Sequence, residues 1–132
     1  MCMRLLAVLV MAVVFSACGG APTAVTPAPV DSALVKFQVG DQSFRVKLTT
    51  RAQVDAAKAA QAGGSARIPN GRIVAGTDVN LGWSWHLVDV AFADVTTEVC
   101  DGRPSDVEKA GANFGGGRYC PWTAEIVSVD GA

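Results

Sequence analysis

Two stretches in the first half of the chain alternate apolar and polar residues with a period of two. Their apolar positions are Val35, Phe37 and Val39, and then Phe44, Val46 and Leu48. Gly40 and Asp41 lie between the stretches and are common turn residues. Alternation on both sides of a short turn predicts a β-hairpin with one apolar face.

A helix is predicted directly after this hairpin. Thr50 and Gln53 have the spacing of a capping box, in which the two side chains satisfy free backbone N–H groups of the first turn. Alanine-rich sequence continues to Ala62, and Gly63–Gly64 then favours the end of the helix. Because most of its apolar positions are alanine, the helix is weakly amphipathic and is expected to cover the sheet.

A second, shorter helix is predicted further along the chain. It follows Pro104, with Ser105 and Glu108 at the capping-box spacing, and Gly111 ends it. The run of glycines from Gly115 to Gly117 then predicts a mobile loop.

Four more segments are short, rich in β-branched or aromatic residues, and bounded by Gly, Asn, Asp or Pro. They cover residues 72–75, 83–87, 95–100 and 122–129. Each is therefore predicted to form a strand. Strands with helices inserted singly indicate an α+β domain, here a mainly antiparallel sheet of about five to six strands with two short helices.

The N-terminal residues resemble a bacterial lipoprotein signal peptide. The apolar run from Leu5 to Phe15 is too short to span a bilayer but has the length of a secretory hydrophobic region. Ser16-Ala17 before Cys18 resembles the lipobox, so residues 1–17 are predicted to be removed and Cys18 to be acylated. Ordinary secretion and an uncleaved anchor are the alternatives.

Residues 18–31 contain three prolines and no charge before Asp31, which predicts a stiff tether between the acyl group and a domain at residues 32–132. The protein is therefore expected to be exported and anchored in the cell envelope, at the outer membrane or the cell surface. By resemblance to the sorting of Gram-negative lipoproteins, Gly19 after Cys18 favours the outer membrane.

The composition changes meaning once this signal is set aside. Half of the 132 residues are hydrophobic and 17% are charged, with a mean hydropathy of +0.30. The signal and the uncharged tether account for part of that hydrophobicity. A net charge of −1 gives no electrostatic basis for binding nucleic acid. A single histidine excludes a multi-histidine metal site.

With Cys2 removed and Cys18 acylated, Cys100 and Cys120 remain as a pair. In an exported protein such a pair is expected to form a disulfide. Zinc bound by both cysteines and His86 is the alternative, disfavoured because no two of these ligands are closely spaced. No metal or other cofactor is predicted.

The three tryptophans are candidate ligand contacts. Trp83 and Trp85 are two positions apart, so in a strand they share one face. With Trp122 they would form an aromatic platform for a sugar ring or a peptide. Tryptophans in so small a domain are more commonly part of the core, which is the competing interpretation.

His86 is the candidate acid–base residue, with Glu98 or Asp101 as its carboxylate partner. A set of Ser84 or Ser105 with His86 and a carboxylate would suit a small hydrolase, but no nucleophile-elbow or oxyanion-hole sequence accompanies it. A structural histidine is therefore favoured. Asp94, Glu98 and Asp101 also lack the regular spacing of a calcium loop, which favours solvated or capping roles.

Several motifs together resemble a small, mostly bacterial domain family described as related to the N-terminal domain of a eukaryotic calmodulin-binding protein. They are Asn70-Gly-Arg-Ile-Val-Ala-Gly76, Trp83-Ser-Trp-His-Leu87, Phe92-Ala-Asp94, Thr97-Glu-Val-Cys-Asp-Gly102, Pro104-Ser-Asp-Val-Glu108 and Arg118-Tyr-Cys-Pro-Trp122. The resemblance covers residues 35–127. It implies a compact α+β domain in which Cys100 and Cys120 lie close together, and it implies no established activity.

Calmodulin itself is an unexpected partner for this chain. Calmodulin targets are basic amphipathic helices with bulky anchor residues. The first predicted helix carries only Arg51 and Lys58 as cations, and its apolar positions are mostly alanine.

The leading functional hypothesis is a lipid-anchored envelope protein whose domain is a non-catalytic binding module for a protein partner. Trp83, Trp85, His86, Glu98, Asp101 and Trp122 are its candidate contact residues. A small hydrolase using His86 with a nearby carboxylate, a carbohydrate-binding module using exposed tryptophans, and a purely structural spacer are the alternatives.

Overall fold

The computed structural model describes residues 19–20, 22–24 and 31–131. The predicted signal peptide, Cys18 and most of the predicted tether lie outside these residues. The strands are β1 (Ala33–Val39), β2 (Gln42–Leu48), β3 (Ile68–Ala75), β4 (Trp85–Ala93), β5 (Arg118–Tyr119) and β6 (Glu125–Gly131). The helices are α1 (Arg51–Gln61) and α2 (Pro104–Ala110), with 3₁₀ turns at Glu98–Cys100 and Gly111–Gly116.

The mixture of sheet and helix is confirmed, but the six strands form two antiparallel sheets rather than one. The first has the order β2-β1-β6 and the second the order β4-β3-β5. The chain enters the second sheet after α1 and returns to the first only in β6. Each sheet therefore contains strands that are distant in sequence.

The predicted hairpin is β1 and β2, and its apolar residues all face the interior. They pair directly across the two strands, as in Val35 with Val46 and Phe37 with Phe44. This face packs against α1 and against the second sheet, where the ring of Phe44 lies 5.9 Å from that of Trp85 and 5.3 Å from that of Tyr119. One core therefore serves both sheets.

Helix α1 begins with the predicted capping box. The hydroxyl of Thr50 accepts a hydrogen bond from the backbone N–H of Gln53, and the Gln53 side chain accepts one from the Thr50 N–H at 3.1 Å. Val54, Ala57 and Ala60 form its buried face. Small side chains on this face let the helix approach the sheet closely. Within the residues that the structure describes, no helix combines the length and apolar character needed to cross a bilayer.

Helix α2 lies where it was predicted, but its predicted cap is wrong. Asp106 replaces the Ser105–Glu108 pair: its carboxylate accepts a hydrogen bond from the Arg103 N–H at 2.9 Å. The Glu108 carboxylate points elsewhere and accepts hydrogen bonds from the backbone and hydroxyl of Ser84. Glu108 therefore makes a tertiary contact with Ser84 instead of the capping interaction that the local sequence pattern predicts.

The strand predicted at residues 95–100 is also wrong. Val95 and Val99 are 80% and 72% exposed, and residues 98–100 form a 3₁₀ turn. The β-branched residues of this segment therefore do not form a buried strand, and Cys100 is its only apolar residue that turns inward. The strand predicted at 83–87 begins instead at Trp85 and extends to Ala93, and the strand predicted at 122–129 begins only at Glu125.

Cys100 and Cys120 form the predicted disulfide, with their Cα atoms 5.1 Å apart. The backbone N–H of Cys120 also donates to the carbonyl of Cys100 at 2.8 Å. The glycine-rich segment between them, predicted as a loop, forms the 3₁₀ turn Gly111–Gly116 and packs under the bridge. A Cβ atom at Gly115 would lie 2.7 Å from the Cα of Cys100, so only glycine fits there.

Replacement of both bridge cysteines, Cys100→Ala with Cys120→Ala, is expected to lower the free energy of unfolding by about 3 kcal/mol. The bridge closes a loop across a sequence separation of 20, and its loss frees the unfolded chain. Urea denaturation measures the change. Wild-type protein unfolded in reductant is the control and should match the variant; equal stability of variant and oxidised wild type would contradict the prediction.

Gly115→Ala and Gly116→Ala form a matched pair that isolates the contact under the bridge. Both glycines have positive φ, +54° and +70°, so alanine costs about 1–2 kcal/mol of backbone strain at either position. Only Gly115 adds a clash with Cys100, whereas nothing lies within 4 Å of a Cβ at Gly116. We expect the free energy of unfolding of Gly115→Ala, measured by urea denaturation, to be lower than that of Gly116→Ala by at least about 1 kcal/mol. Equal stability would disprove the close contact.

Candidate functional site

The candidate functional site is the surface groove next to Trp122. It lies between the segment that enters β3 and the segment that connects the disulfide to β6. We call it the Trp122 groove, and its principal lining residues are Arg67, Ile68, Asp94, Val95, Trp122 and Glu125. Its central hollow has a volume of about 390 Å³. A second hollow extends it past Arg67 and Glu125 towards the end of α1.

Trp122 forms the aromatic wall of the groove and is 41% exposed. Its backbone is held in place from two sides. The preceding residues include Cys120, fixed by the disulfide, and the N–H of Trp122 donates to the Asp101 carboxylate at 2.9 Å. An indole on a braced backbone contributes a large contact area at little entropic cost.

Val95 lies beside Trp122 at the narrow end of the groove. Thr96 lines the same hollow, and its hydroxyl oxygen is buried without a hydrogen-bond partner among the described residues. Burying a hydroxyl without a partner costs free energy, and a ligand polar atom would recover it. The narrow end therefore combines an apolar wall with one unused polar group.

Charge in the groove is unevenly distributed. Asp94 and Glu125 lie on its walls, and Asp101 supports Trp122 from behind. Arg67 supplies a positive charge between them and forms no ion pair within the part of the chain that the structure describes. An apolar patch with a polar border is typical of a surface that binds another macromolecule.

The structure separates the sequence-predicted site residues into two groups. Asp101 and Trp122 are in contact. Trp85 and His86 begin β4 and Trp83 lies two residues before it, whereas the groove lies beyond the last residue of the strand, Ala93. Nine residues of extended strand span roughly 26 Å from first to last. The three tryptophans therefore do not share one groove.

The prediction that Trp85 contacts a ligand is wrong. It is 2% exposed, and its ring packs 5.5 Å from that of Tyr119. Trp83 is half-buried against Trp85, and its indole N–H donates to the carbonyl of Ser43 at 2.9 Å. Both side chains pack between the two sheets. Trp83 and Trp85 therefore do not form an exposed platform for a carbohydrate at the start of β4.

His86 does not meet the carboxylates proposed for it. Its Nδ1 lies 2.6 Å from the carbonyl of Gly76, the residue that follows β3. No hydrogen bond joins His86 to Glu98 or Asp101 in residues 31–131. Glu98 is exposed in its 3₁₀ turn. Among the same described residues, no three His, Cys, Asp or Glu side chains are grouped so that they could hold a metal ion.

The chain was compared with models of known protein families. The model of the BP-74 N-terminal domain matches residues 31–131. The chain belongs to the BP-74 N-terminal domain family. This confirms the relation inferred from the sequence motifs, and the matched range includes every residue of the groove. No match was found among curated proteins. No solved structure matched either.

Arg67, Ile68, Val95 and Glu125 were missed as site residues. None of them stands out in the sequence, because Val95 and Glu125 belong to segments predicted as strands and Arg67 follows a turn. Only the folded chain brings them to one surface. The isolated aromatic Trp122, directly after Cys120 and Pro121, is the one signal in the sequence that points to this surface.

Tyr119 anchors the segment that leads to the groove, and the ionisation of its phenol tests whether this side chain is buried. Desolvation raises the pKa of its phenol far above the ordinary value, and the negative charges of Asp101 and Asp106 raise it further. The hydroxyl donates to the carbonyl of Gly102 at 3.0 Å. The neutral phenol is therefore the form that the folded state favours.

Tyr119 is the chain's single tyrosine, so alkaline titration at 295 nm reports this phenol alone. We expect no phenolate absorbance in the folded protein up to pH 11. Above the unfolded pKa of about 10 the unfolded state loses its proton first, so stability falls by up to about 1.4 kcal/mol per pH unit. An ordinary titration midpoint in protein that remains folded would contradict the burial.

Proposed function

We propose that this protein is a lipid-anchored component of the cell envelope whose domain binds a protein partner through the Trp122 groove. The lipobox-like sequence ending at Cys18 supports the anchor. The exposed Trp122, set beside Val95 and Ile68 in a groove with charged walls, is the observation that supports partner binding.

Exposure of Trp122 and Val95 has no explanation in the packing of the domain. Both side chains lie in one hollow with Ile68, so their apolar surfaces are contiguous. Burying apolar surface contributes about 25 cal/mol per Å², and tryptophan is the residue type most enriched among strong interface contacts. Covering this patch would therefore stabilise a complex.

The protein partner is favoured over the two chemical alternatives. A hydrolase needs a histidine with a carboxylate within hydrogen-bonding distance, and His86 contacts a backbone carbonyl instead. A carbohydrate-binding groove needs aromatic platforms side by side, and Trp122 is remote from the other two tryptophans. An exposed aromatic anchor within a polar border remains, and aromatic residues are enriched in protein interfaces.

Photo-crosslinking in native membranes tests the proposal. Val95→p-benzoylphenylalanine places a crosslinker in the groove, and Leu81→p-benzoylphenylalanine places one at a similarly exposed residue, 68% against 80%, in the turn before β4. We expect one reproducible protein adduct from position 95 and none from position 81. Trp122→Ala in the position-95 variant should reduce the adduct at least tenfold.

Equal adducts at both positions, or lipid adducts alone, would overturn the proposed binding at the groove.

The lipid anchor is tested separately. Mass spectrometry of the mature protein should show diacylglycerol on Cys18, and a mature chain that begins at another residue would contradict it.

A further inference from the structure

The narrow end of the Trp122 groove is built from two segments that lie outside the strands. Val95 and Thr96, in the connection that follows β4, line one side of it. Trp122, in the connection between β5 and β6, lines the other. Strand β5 has only two residues and pairs with β3. The spacing of the two sides therefore depends on contacts made by the connections themselves.

Three links around the disulfide hold these two segments together. The bridge joins Cys100, five residues after Val95, to Cys120, two residues before Trp122. The N–H of Cys120 donates to the carbonyl of Cys100 at 2.8 Å, and the N–H of Trp122 donates to the Asp101 carboxylate at 2.9 Å. Both hydrogen bonds join residues at or next to the bridge, so the covalent bond sets the separation at which they form.

Reduction of the bridge must move one of the two segments, because two thiol sulfurs cannot stay at the distance of a disulfide bond. Cys100 is packed directly against Gly115, where a Cβ would lie 2.7 Å from the Cα of Cys100. Cys120 follows Tyr119, whose ring is fully buried in the core. The freedom to move therefore lies after Cys120, in the segment that carries the exposed Trp122.

The rest of the domain is expected to stay folded when the bridge is reduced. The hydrophobic core of the described residues contains neither cysteine. The carbonyl oxygen of Thr97 lies 3.4 Å from the sulfur of Cys100 and 3.5 Å from that of Cys120. Disulfide sulfurs have no proton to donate, whereas a thiol is a weak donor. An acceptor for the thiols is therefore already in place.

We propose that oxidation of Cys100 and Cys120 converts the Trp122 groove from a form that does not bind the partner to the form that does. This proposal rests on the proposed function, since it specifies how binding at the same groove is regulated. The oxidant is a protein or small molecule that carries a disulfide. The two thiols pass two electrons and two protons to it, and its sulfur–sulfur bond breaks as that of this chain forms.

Burial makes this conversion effectively one-way. Cys100 is 4% exposed and Cys120 is fully buried. Reduction requires a thiolate to reach one of the two sulfurs, and burial restricts that access. The chain therefore gains its binding form in an oxidising compartment and retains it there.

NMR on the purified full-length protein tests the structural part of the proposal. Protein that is unfolded, reduced and refolded in reductant is compared with the oxidised protein. We expect the backbone amide of Trp122 to exchange its hydrogen at least tenfold faster in the reduced form, and its indole resonance to shift. The indole of Trp83 is the internal control, since it donates to the carbonyl of Ser43 and should keep its resonance.

Photo-crosslinking tests the effect on binding. Cys100→Ser with Cys120→Ser is introduced into the chain that carries the crosslinker at Val95, and the adduct in native membranes should fall at least tenfold at equal protein amounts. Val46→Ala is the control for lost stability. It removes buried side-chain atoms from β2, at the edge of the sheet opposite β6, and leaves the bridge intact. Its adduct should stay within about twofold.

The outcomes separate this inference from the proposed function. Equal adducts with and without the bridge, or unchanged Trp122 resonances after reduction, would overturn the inference and leave the groove as the binding site. Collapse of the amide spectrum on reduction, or an equal loss of adduct in Val46→Ala, would also overturn it, because the bridge would then act through stability alone. Absence of an adduct from the oxidised chain would overturn the proposed function, and NMR decides independently whether the bridge positions Trp122.

Discussion

The bond between Cys100 and Cys120 is the constraint on which the candidate site depends. It joins a 3₁₀ turn to the segment between β5 and β6, where regular secondary structure is scarce. Asp101 follows one cysteine and Trp122 lies two residues after the other, and these two residues are hydrogen-bonded. The bridge therefore fixes the exposed indole relative to the rest of the surface, and Gly115 is required beneath it because any Cβ would collide with Cys100.

The domain uses its aromatic residues in two distinct ways. Phe37, Phe44, Trp85 and Tyr119 fill the space between the sheets, where large rings bury much apolar surface in a domain of about 100 residues. Among the described residues, Trp122 is the tryptophan with its side chain exposed, whereas Trp83 is half-buried and Trp85 is buried. The same residue type therefore supports the fold at one end of the β3–β4 hairpin and forms the candidate contact surface at the other.

Local features of the fold were predictable, and long-range ones were not. The hairpin and the cap of α1 depend on residues within a few positions of each other, so their patterns identify them. The division into two sheets depends on β6 pairing with β1, almost a hundred residues away, and no local pattern encodes it. The groove was missed for the same reason, since Arg67, Val95 and Glu125 meet only after folding. The incorrect strand prediction at 95–100 shows that β-branched residues can lie on an exposed surface instead of in a buried strand.

The direction of the strands also relates the proposed anchor to the groove. Strand β1 begins at Ala33, which pairs with Gly131 at the end of β6, whereas the groove begins at Glu125, paired with Gln38 at the far end of β1. The strand separates these points by roughly 20 Å. Cys18 and Asp31 are 13 positions apart, which allows at most about 45 Å of extended chain. An acyl group on Cys18 would therefore attach the domain at the end of the sheet opposite the groove, and because the extended tether is longer than the strand, the groove would stay accessible to a protein partner.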